Sequence, residues 1–100
     1  MNRAYYSFHP EAAAEFRQAM DEYESCGEGL GVDFAAEVYS AIQRIVAHPQ
    51  AWPVLDDEVR RCQTKRFPYG ILYAEVENEI FILAVMHLHR DPDYWKHRVS

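Results

Sequence analysis

The chain has 100 residues, of which 49% are hydrophobic and 14% aromatic. This length predicts a single domain covering residues 1–100, and the composition indicates a packed core rather than a disordered chain. No apolar run reaches the roughly 18–20 residues of a membrane span, and the N-terminus lacks the pattern of a secretory signal. We therefore expect a cytoplasmic protein without a membrane partner.

Charge is divided unevenly along the sequence, whose net charge is −6. Residues 1–58 contain three Arg against eleven Asp and Glu, whereas residues 59–100 contain seven Lys and Arg against five Asp and Glu. Proteins that gain affinity by neutralising phosphates are usually basic overall. The acidic balance therefore argues against direct, sequence-specific DNA binding by this chain, and it leaves the second half as the part that can meet anionic groups.

The first half of the chain predicts one strand and two helices. Residues 5–8 are aromatic and predict a strand, and Pro10 suits the first turn of a following helix. From residue 11, apolar side chains recur at helical spacing until the glycine-rich residues 27–31. A second apolar stripe, from Phe34 to Val46, predicts a helix that stops at Pro49. Together these elements predict an antiparallel helical hairpin.

The second half predicts a loop over residues 50–58 and then three strands, over 59–67, 71–77 and 80–88. Residues 80–86 are apolar on both faces, which is typical of a central strand. Residues 93–99 form at most a short terminal helix. The fold class is therefore α+β, with the order β-α-α-β-β-β and a short C-terminal helix.

His87 and His89 are two residues apart in a predicted strand, which places both on one face, and Arg90 follows them. Such a pair can bind a metal or transfer protons near neutral pH. The alternative is that these groups close the strand end by hydrogen bonding. A metal would need a third ligand, and no carboxylate or thiol has a recognised spacing. We expect no metal, no cofactor, and Cys26 and Cys62 as reduced thiols.

Four cationic residues lie close together in the chain: Arg60, Arg61, Lys65 and Arg66. On one continuous strand, Arg60 and Arg66 share one face, and Arg61 and Lys65 share the other. Such a group can hold phosphates, pair with an acidic partner, or protect an edge strand against aggregation.

Aromatic residues accompany these cations. Tyr94 and Trp95, with Tyr69 and Tyr73, can stack on nucleic-acid bases. The alternative is that they pack in the core and against the hairpin of strands. The residue types alone leave both interpretations open.

Several segments spread over nearly the whole chain form a recognisable combination. They are the opening strand into Pro10, the glycine turn at 29–31, Ile45…His48-Pro49…Trp52-Pro53, Arg60-Arg61, the run from Arg66 to Tyr73, the run from Ile82 to His87, and Arg90-Asp91-Pro92…Trp95. Together they resemble the RelE/ParE superfamily of toxins from bacterial type II toxin–antitoxin modules. The last group is most similar to the ParE, or plasmid-stabilisation, branch. The resemblance implies a helical hairpin packed on a mainly antiparallel sheet.

The resemblance implies one of two toxic activities. RelE-like members cut mRNA in the ribosomal A site, using basic groups that stabilise charge as the 2′-hydroxyl attacks. ParE-like members have a similar fold and inhibit DNA gyrase. In both, a cognate antitoxin wraps the toxin with a segment that folds on binding.

The chain departs from the nuclease pattern at the position after Tyr69. Many ribosome-dependent members have an arginine there, and this chain has Gly70. Nuclease members of the superfamily often have two lysines on the second strand of the sheet. In this chain the matching positions are Arg61 and Gln63. A late basic residue is retained as Arg90, and Tyr94 or Trp95 matches the terminal aromatic residue. The missing arginine weighs against mRNA cleavage.

The first hypothesis is therefore a ParE-like toxin that inhibits growth by binding a target, DNA gyrase, through Arg60, Arg61, Lys65, Arg66, Tyr94 and Trp95. The alternative is a ribosome-dependent endoribonuclease, with Arg61, Lys65, Arg66 and Arg90 on phosphate and His87 or His89 in proton transfer. A third possibility is a degenerate, non-toxic interaction module.

Overall fold

A computed structural model describes residues 5–99 of the protein. Its elements are β1 (Tyr6–Phe8), α1 (Pro10–Cys26), α2 (Leu30–Ala47), β2 (Val54–Asp56), β3 (Val59–Gln63), β4 (Tyr69–Val76), β5 (Glu79–His87) and a 3-10 helix (Lys96–Arg98). The predicted α+β class is confirmed. The sequence predicted a loop over residues 50–58, and this prediction was wrong at Val54–Asp56, which form β2. None of the helices within residues 5–99 is long and apolar enough to cross a membrane.

The five strands form one sheet in the order β1-β5-β4-β3-β2. β1 pairs with β5 in parallel, and every other neighbouring pair is antiparallel. The strand β5 was predicted to be central. It is an interior strand between β1 and β4, and the middle position belongs to β4.

The helical hairpin is closed by a carboxylate at its turn. Glu24, near the end of α1, accepts hydrogen bonds from the backbone N–H groups of Gly29 and Gly31, each at 2.9 Å. Gly29 has a left-handed φ of 83°, which glycine adopts at little cost. At Gly31 a Cβ atom would lie 2.6 Å from the carbonyl oxygen of Met20, so the two helices approach this closely only with glycine there.

The main core lies between the hairpin and one face of the sheet, which we call the helix face. Phe34 of α2 is fully buried at its centre. Its ring makes edge or tilted contacts with the rings of Phe16, Tyr23, Phe67 and Tyr69, at centroid distances of 4.8–6.0 Å. Aromatic burial on this scale contributes several kcal/mol, so this cluster stabilises the contact between hairpin and sheet.

The opposite face of the sheet, which we call the second face, is partly covered by residues 91–99, the C-terminal segment. Trp95 is only 2% exposed and packs with apolar side chains from β3, β4 and β5: Val59, Leu72, Leu83, Ala84 and Met86. The run of apolar residues on both faces of β5 therefore has a physical reason, because each face has its own cover.

A β-bulge in β5 fastens the C-terminal segment. Tyr73 pairs with Ile82 and Leu72 pairs with Ala84, so Leu83 is an extra residue in the ladder. The Leu83 carbonyl accepts a hydrogen bond from Arg98 Nη1 at 2.9 Å. Arg98 also pairs in two-point fashion with the Glu15 carboxylate at 2.9 and 3.0 Å, and Val85 N–H donates to the same carboxylate at 3.1 Å. One buried ion pair thus joins α1, β5 and the C-terminal segment.

Three predicted boundaries were wrong in ways that affect the candidate site. β3 ends at Gln63, so Lys65 and Arg66 lie in the turn that follows and the strand-face rule does not apply to them. β4 begins at Tyr69 and includes Gly70, where a turn was predicted. β5 ends at His87, so His89 lies beyond the strand.

Candidate functional site

Arg60 binds backbone carbonyl groups of the segment that precedes β2. Its Nη1 donates to the carbonyl oxygens of Trp52 at 2.7 Å and Gln50 at 3.3 Å. These bonds hold the segment before β2 against the start of β3. A guanidinium that is already bound to two carbonyl groups has fewer donors left for a ligand.

Arg61 lies on the second face, in a cleft of about 300 Å³ between β2 and the C-terminal segment. Its stem passes over Gly70, where a Cβ atom would lie 2.8 Å from Arg61 Cδ. Met86 and Trp95 contribute apolar surface to the same cleft, and Lys96 lies at its border. Among residues 5–99, no hydrogen bond or ion pair engages the Arg61 guanidinium, so it can meet an anionic group.

Lys65 and Arg66 lie beside α2 rather than beside Arg61. Their backbone N–H groups both donate to Glu37 Oε1, at 2.9 and 3.0 Å. These bonds, with that from Arg66 first, hold the pKa of Glu37 below its usual range. The Arg66 guanidinium is 3.7 Å from Asp33 and stacks on the Phe67 ring at 5.2 Å. Both side chains remain exposed, and Arg66 is the more constrained of the two.

His87 and His89 are neighbours at the end of β5, but His89 lies outside the strand, so the two do not share a strand face as the sequence predicted. Their rings are 5.3 Å apart, and the His89 backbone N–H donates to His87 Nδ1 at 3.1 Å. The ring of His87 also contacts Tyr69 edge-on at 5.2 Å, which fits the interpretation that these groups close the strand end.

His87 also lines a cleft of about 290 Å³ on the helix face. Glu15 and Glu22 of α1 contribute carboxylates to the cleft, and Arg90 is the only arginine or lysine that lines it within the described part of the chain. Arg98 already pairs with Glu15, and Glu22 offsets Arg90, so the cleft offers a phosphodiester no excess of positive charge. This cleft is therefore a poor place to bind the backbone of an RNA.

Arg90 and Tyr94 form one stacked unit with Arg98. The Arg90 guanidinium lies over the Tyr94 ring at 3.9 Å from its centroid, and Arg98 lies at 4.9 Å. Arg90 Nη1 is also 3.9 Å from the Glu15 carboxylate. Burial, and then the negative charge of Glu15, raise the pKa of Tyr94 well above its usual range, so the phenol stays protonated near neutral pH. Tyr94 positions two arginines and is half-buried.

The structure therefore divides the predicted site residues among three places. Arg61 and the buried Trp95 belong to the second face, His87 belongs to the helix face, and Lys65 lies in the turn beside α2. Within residues 5–99, no group of three or more His, Cys, Asp or Glu side chains is placed to hold a metal ion. The two thiols are separate and free, Cys26 exposed and Cys62 buried.

An apolar groove that the sequence did not indicate runs along the outside of the hairpin. It has a volume of about 210 Å³ and is lined by Phe8, Phe16, Arg17, Met20 and Tyr39, among others. Phe8 belongs to β1, an edge strand of the sheet, and Tyr39 is 45% exposed. The available sequence signal is weak: Tyr39 is an aromatic residue outside the apolar stripe of α2.

Comparisons with known proteins agree on the fold. A family model described as the ParE toxin of the type II toxin–antitoxin system parDE matches residues 6–92. Among solved structures, one titled "Chromosomal ParDE TA system from P. aeruginosa" superimposes with a TM-score of 0.75 and 17% sequence identity, over 86% of this chain and 97% of that chain. At that identity the superposition shows the fold alone. A comparison with curated protein sequences gives no match.

Proposed function

Because the chain belongs to the ParE toxin family of type II toxin–antitoxin systems, we propose that it inhibits DNA gyrase by binding to it, without catalysis of its own, and that a cognate antitoxin neutralises it. The observation that carries the binding mechanism is the separation of Arg61 from His87 on opposite faces of the sheet. A nuclease needs its phosphate-binding cations and its proton-transfer group around one phosphate. Gly70, in place of an arginine, supports the same proposal.

Arg61 is the central target contact in this proposal. Its guanidinium has no partner among residues 5–99, and Leu55 and Met86 add apolar surface beside it. Arginine next to apolar surface is the residue combination that dominates many protein interfaces. Lys65 and Arg66 contribute a second, exposed contact beside α2. Arg60 and Trp95 act indirectly, because their contacts support the cleft.

The proposal is tested by a gyrase supercoiling assay with the purified protein. Arg61→Ala should raise the concentration needed for half-inhibition by about tenfold or more, as for the loss of an interface hot spot. The melting temperature should fall only slightly, because the guanidinium has no partner within the described residues and only the packing of the stem over Gly70 is lost. Arg17→Ala, which removes an exposed arginine of α1, is the matched control and should leave inhibition unchanged.

Expression in a bacterial host separates the alternatives. Gyrase inhibition should cause DNA damage and filamentation before translation falls. A rapid arrest of translation with cleaved mRNA, abolished by His87→Ala and by Arg90→Ala, would instead assign the ribosome as the target. Normal growth at high expression would favour the non-toxic module.

The antitoxin proposal rests on the apolar groove beside the edge strand β1. An edge strand offers backbone groups to a partner strand, and an adjacent apolar groove suits an amphipathic helix. A segment that folds on binding can use both surfaces. Met20→Glu should weaken binding of the cognate antitoxin, measured by titration calorimetry. Val32→Glu places the same charge on α2 at an exposed site away from the groove and should not. Equal affinity of both variants would move the antitoxin to another surface.

A further inference from the structure

The C-terminal segment covers only part of the second face. Trp95 lies over Leu72, Leu83 and Met86, toward the end of β5. Toward the turn between β4 and β5, the sheet is instead bordered by an open depression of about 630 Å³, which we call the second-face pocket. Its volume is in the range of sites that bind ligands or several side chains of a partner.

The second-face pocket has an apolar base. Phe81 of β5 pairs with Ser7 of β1 on one side and with Ala74 of β4 on the other, so its ring lies in a row across the sheet. Val76 lines the same pocket and is 49% exposed, and Val99 closes the end formed by the C-terminal segment and is 48% exposed. Adjacent exposed apolar side chains of this kind are typical of an interaction surface.

The charge around the second-face pocket is unbalanced. Glu77 and Glu79 line it, are exposed, and form no ion pair within residues 5–99. Arg98 lines it too, but its guanidinium is paired with Glu15. His9 lines the pocket as well, and its Nδ1 accepts the Glu11 N–H at 3.1 Å. Within residues 5–99, the pocket therefore presents two carboxylates without an ion-pair partner beside aromatic and aliphatic surface.

We propose that the second-face pocket binds a basic polypeptide segment in which an arginine or lysine neighbours a large aliphatic side chain. The aliphatic side chain packs against Val76 and Val99. The stem of the cationic side chain lies along Phe81, whose ring attracts a cation, and its charged group meets Glu77 and Glu79. A second copy of the chain is a poorer occupant because its net charge is −6. This inference does not depend on the gyrase target or on the antitoxin groove.

The test is an NMR titration of the isotope-labelled protein with acetyl-Leu-Arg-Val-Arg-amide, and with acetyl-Leu-Glu-Val-Glu-amide as the charge-reversed probe. The basic peptide should shift the amide signals of Ser7, Val76 and Phe81 in a saturable manner. Glu77→Gln combined with Glu79→Gln should raise its Kd by roughly fivefold or more, as expected for two exposed ion pairs. Glu28→Gln, at an exposed glutamate of the hairpin turn, should leave the Kd unchanged.

Each other outcome overturns the proposal. Shifts that do not saturate at millimolar peptide, equal binding of the acidic peptide, or an unchanged Kd in the double variant would each do so. Self-association in sedimentation experiments that Val76→Glu abolishes would assign the surface to a second copy. Because the substituted carboxylates are exposed, the melting temperature should show that the double variant is folded.

Discussion

The helical hairpin covers one face of the sheet with apolar and aromatic side chains, whereas the C-terminal segment covers part of the other face with Trp95 and is also held by ion pairs. On the helix face, Phe34 is fully buried among aromatic rings. Ion pairs join Arg98 to Glu15 of α1 and Lys96 to Asp56 and Asp93, and a hydrogen bond joins His97 to Glu11. Apolar burial responds little to pH and salt, but ion pairs respond to both. The two covers of one sheet should therefore fail under different conditions.

The largest effect is expected on the helix face. Phe34→Ala should destabilise the protein by about 3–5 kcal/mol, because it removes a fully buried ring and leaves a cavity. The free energy of unfolding, measured in urea at low and at high salt, should fall by the same amount in both. Val32→Ala, at an exposed site on α2, should change stability by less than about 0.5 kcal/mol. A loss below about 1 kcal/mol for Phe34→Ala would mean that the aromatic cluster is not the main support of the hairpin.

The second effect concerns the buried ion pair. The side chains of Arg98 and Glu15 are 5% and 14% exposed. Arg98→Ala should cost about 3 kcal/mol, because it leaves the Glu15 carboxylate and the Leu83 carbonyl without their main donor. Trp95 should then become accessible, which shifts its fluorescence to longer wavelength.

A double-mutant cycle checks that prediction. Glu15→Gln combined with Arg98→Leu should be less destabilising than the sum of the single changes, because the uncompensated charge is gone. Simple additivity would show that the two side chains act independently and would contradict the proposed fastening of the C-terminal segment.

A smaller effect on stability is expected for the exposed ion pairs of Lys96. Lys96 Nζ is 3.2 Å from Asp56 and 3.1 Å from Asp93, and these side chains are about half exposed or more. Lys96→Ala should lower the melting temperature less than Arg98→Ala. The difference from the parent should disappear near 1 M salt, where screening acts over about 3 Å. A difference that persists in high salt would mean that Lys96 stabilises by packing of its stem.

The smallest effect is the response of the hairpin turn to acid. The hydrogen bonds from Gly29 and then Gly31 lower the pKa of Glu24 below its usual 4.5. A carboxyl group with a lowered folded-state pKa stabilises the fold above its unfolded-state pKa, and this contribution is lost as pH falls through the folded-state pKa. Stability should therefore fall below about pH 4.5, and Glu24→Gln should flatten that decline. Glu28→Gln should leave that decline unchanged. Identical dependence of stability on pH in the two variants would exclude Glu24 as a source of the acid sensitivity.

The sequence predicted both helices because long, strongly periodic segments carry their own signal. It missed β2, because Val54–Asp56 is three residues long and exposed and forms a strand only by pairing with β3. Gly70 was read as part of a turn from its residue type. In the structure it permits the stem of Arg61 to pass close to β4, which is a tertiary reason.

The candidate site was harder to predict, because it depends on which face of the sheet each side chain lies on. Trp95 was a candidate for target binding, and the structure buries it. One sequence signal indicated that Trp95 is buried. Residues 80–86 are apolar on both faces, and the helical hairpin can cover only one face of the sheet, so another segment must cover the second. The bulge at Leu83 leaves no local signal, because it results from pairing between β4 and β5.

The bulge at Leu83 has a consequence for the order in which the protein is built. Arg98 follows α1 and all five strands in the chain, so during synthesis Glu15 and the Leu83 carbonyl gain this partner last. We expect that nascent chains lacking Arg98 keep the second face exposed and remain sensitive to protease. Ribosome-bound chains of increasing length, probed by limited proteolysis, should gain protection only once Arg98 has emerged. Protection at shorter lengths would contradict this order.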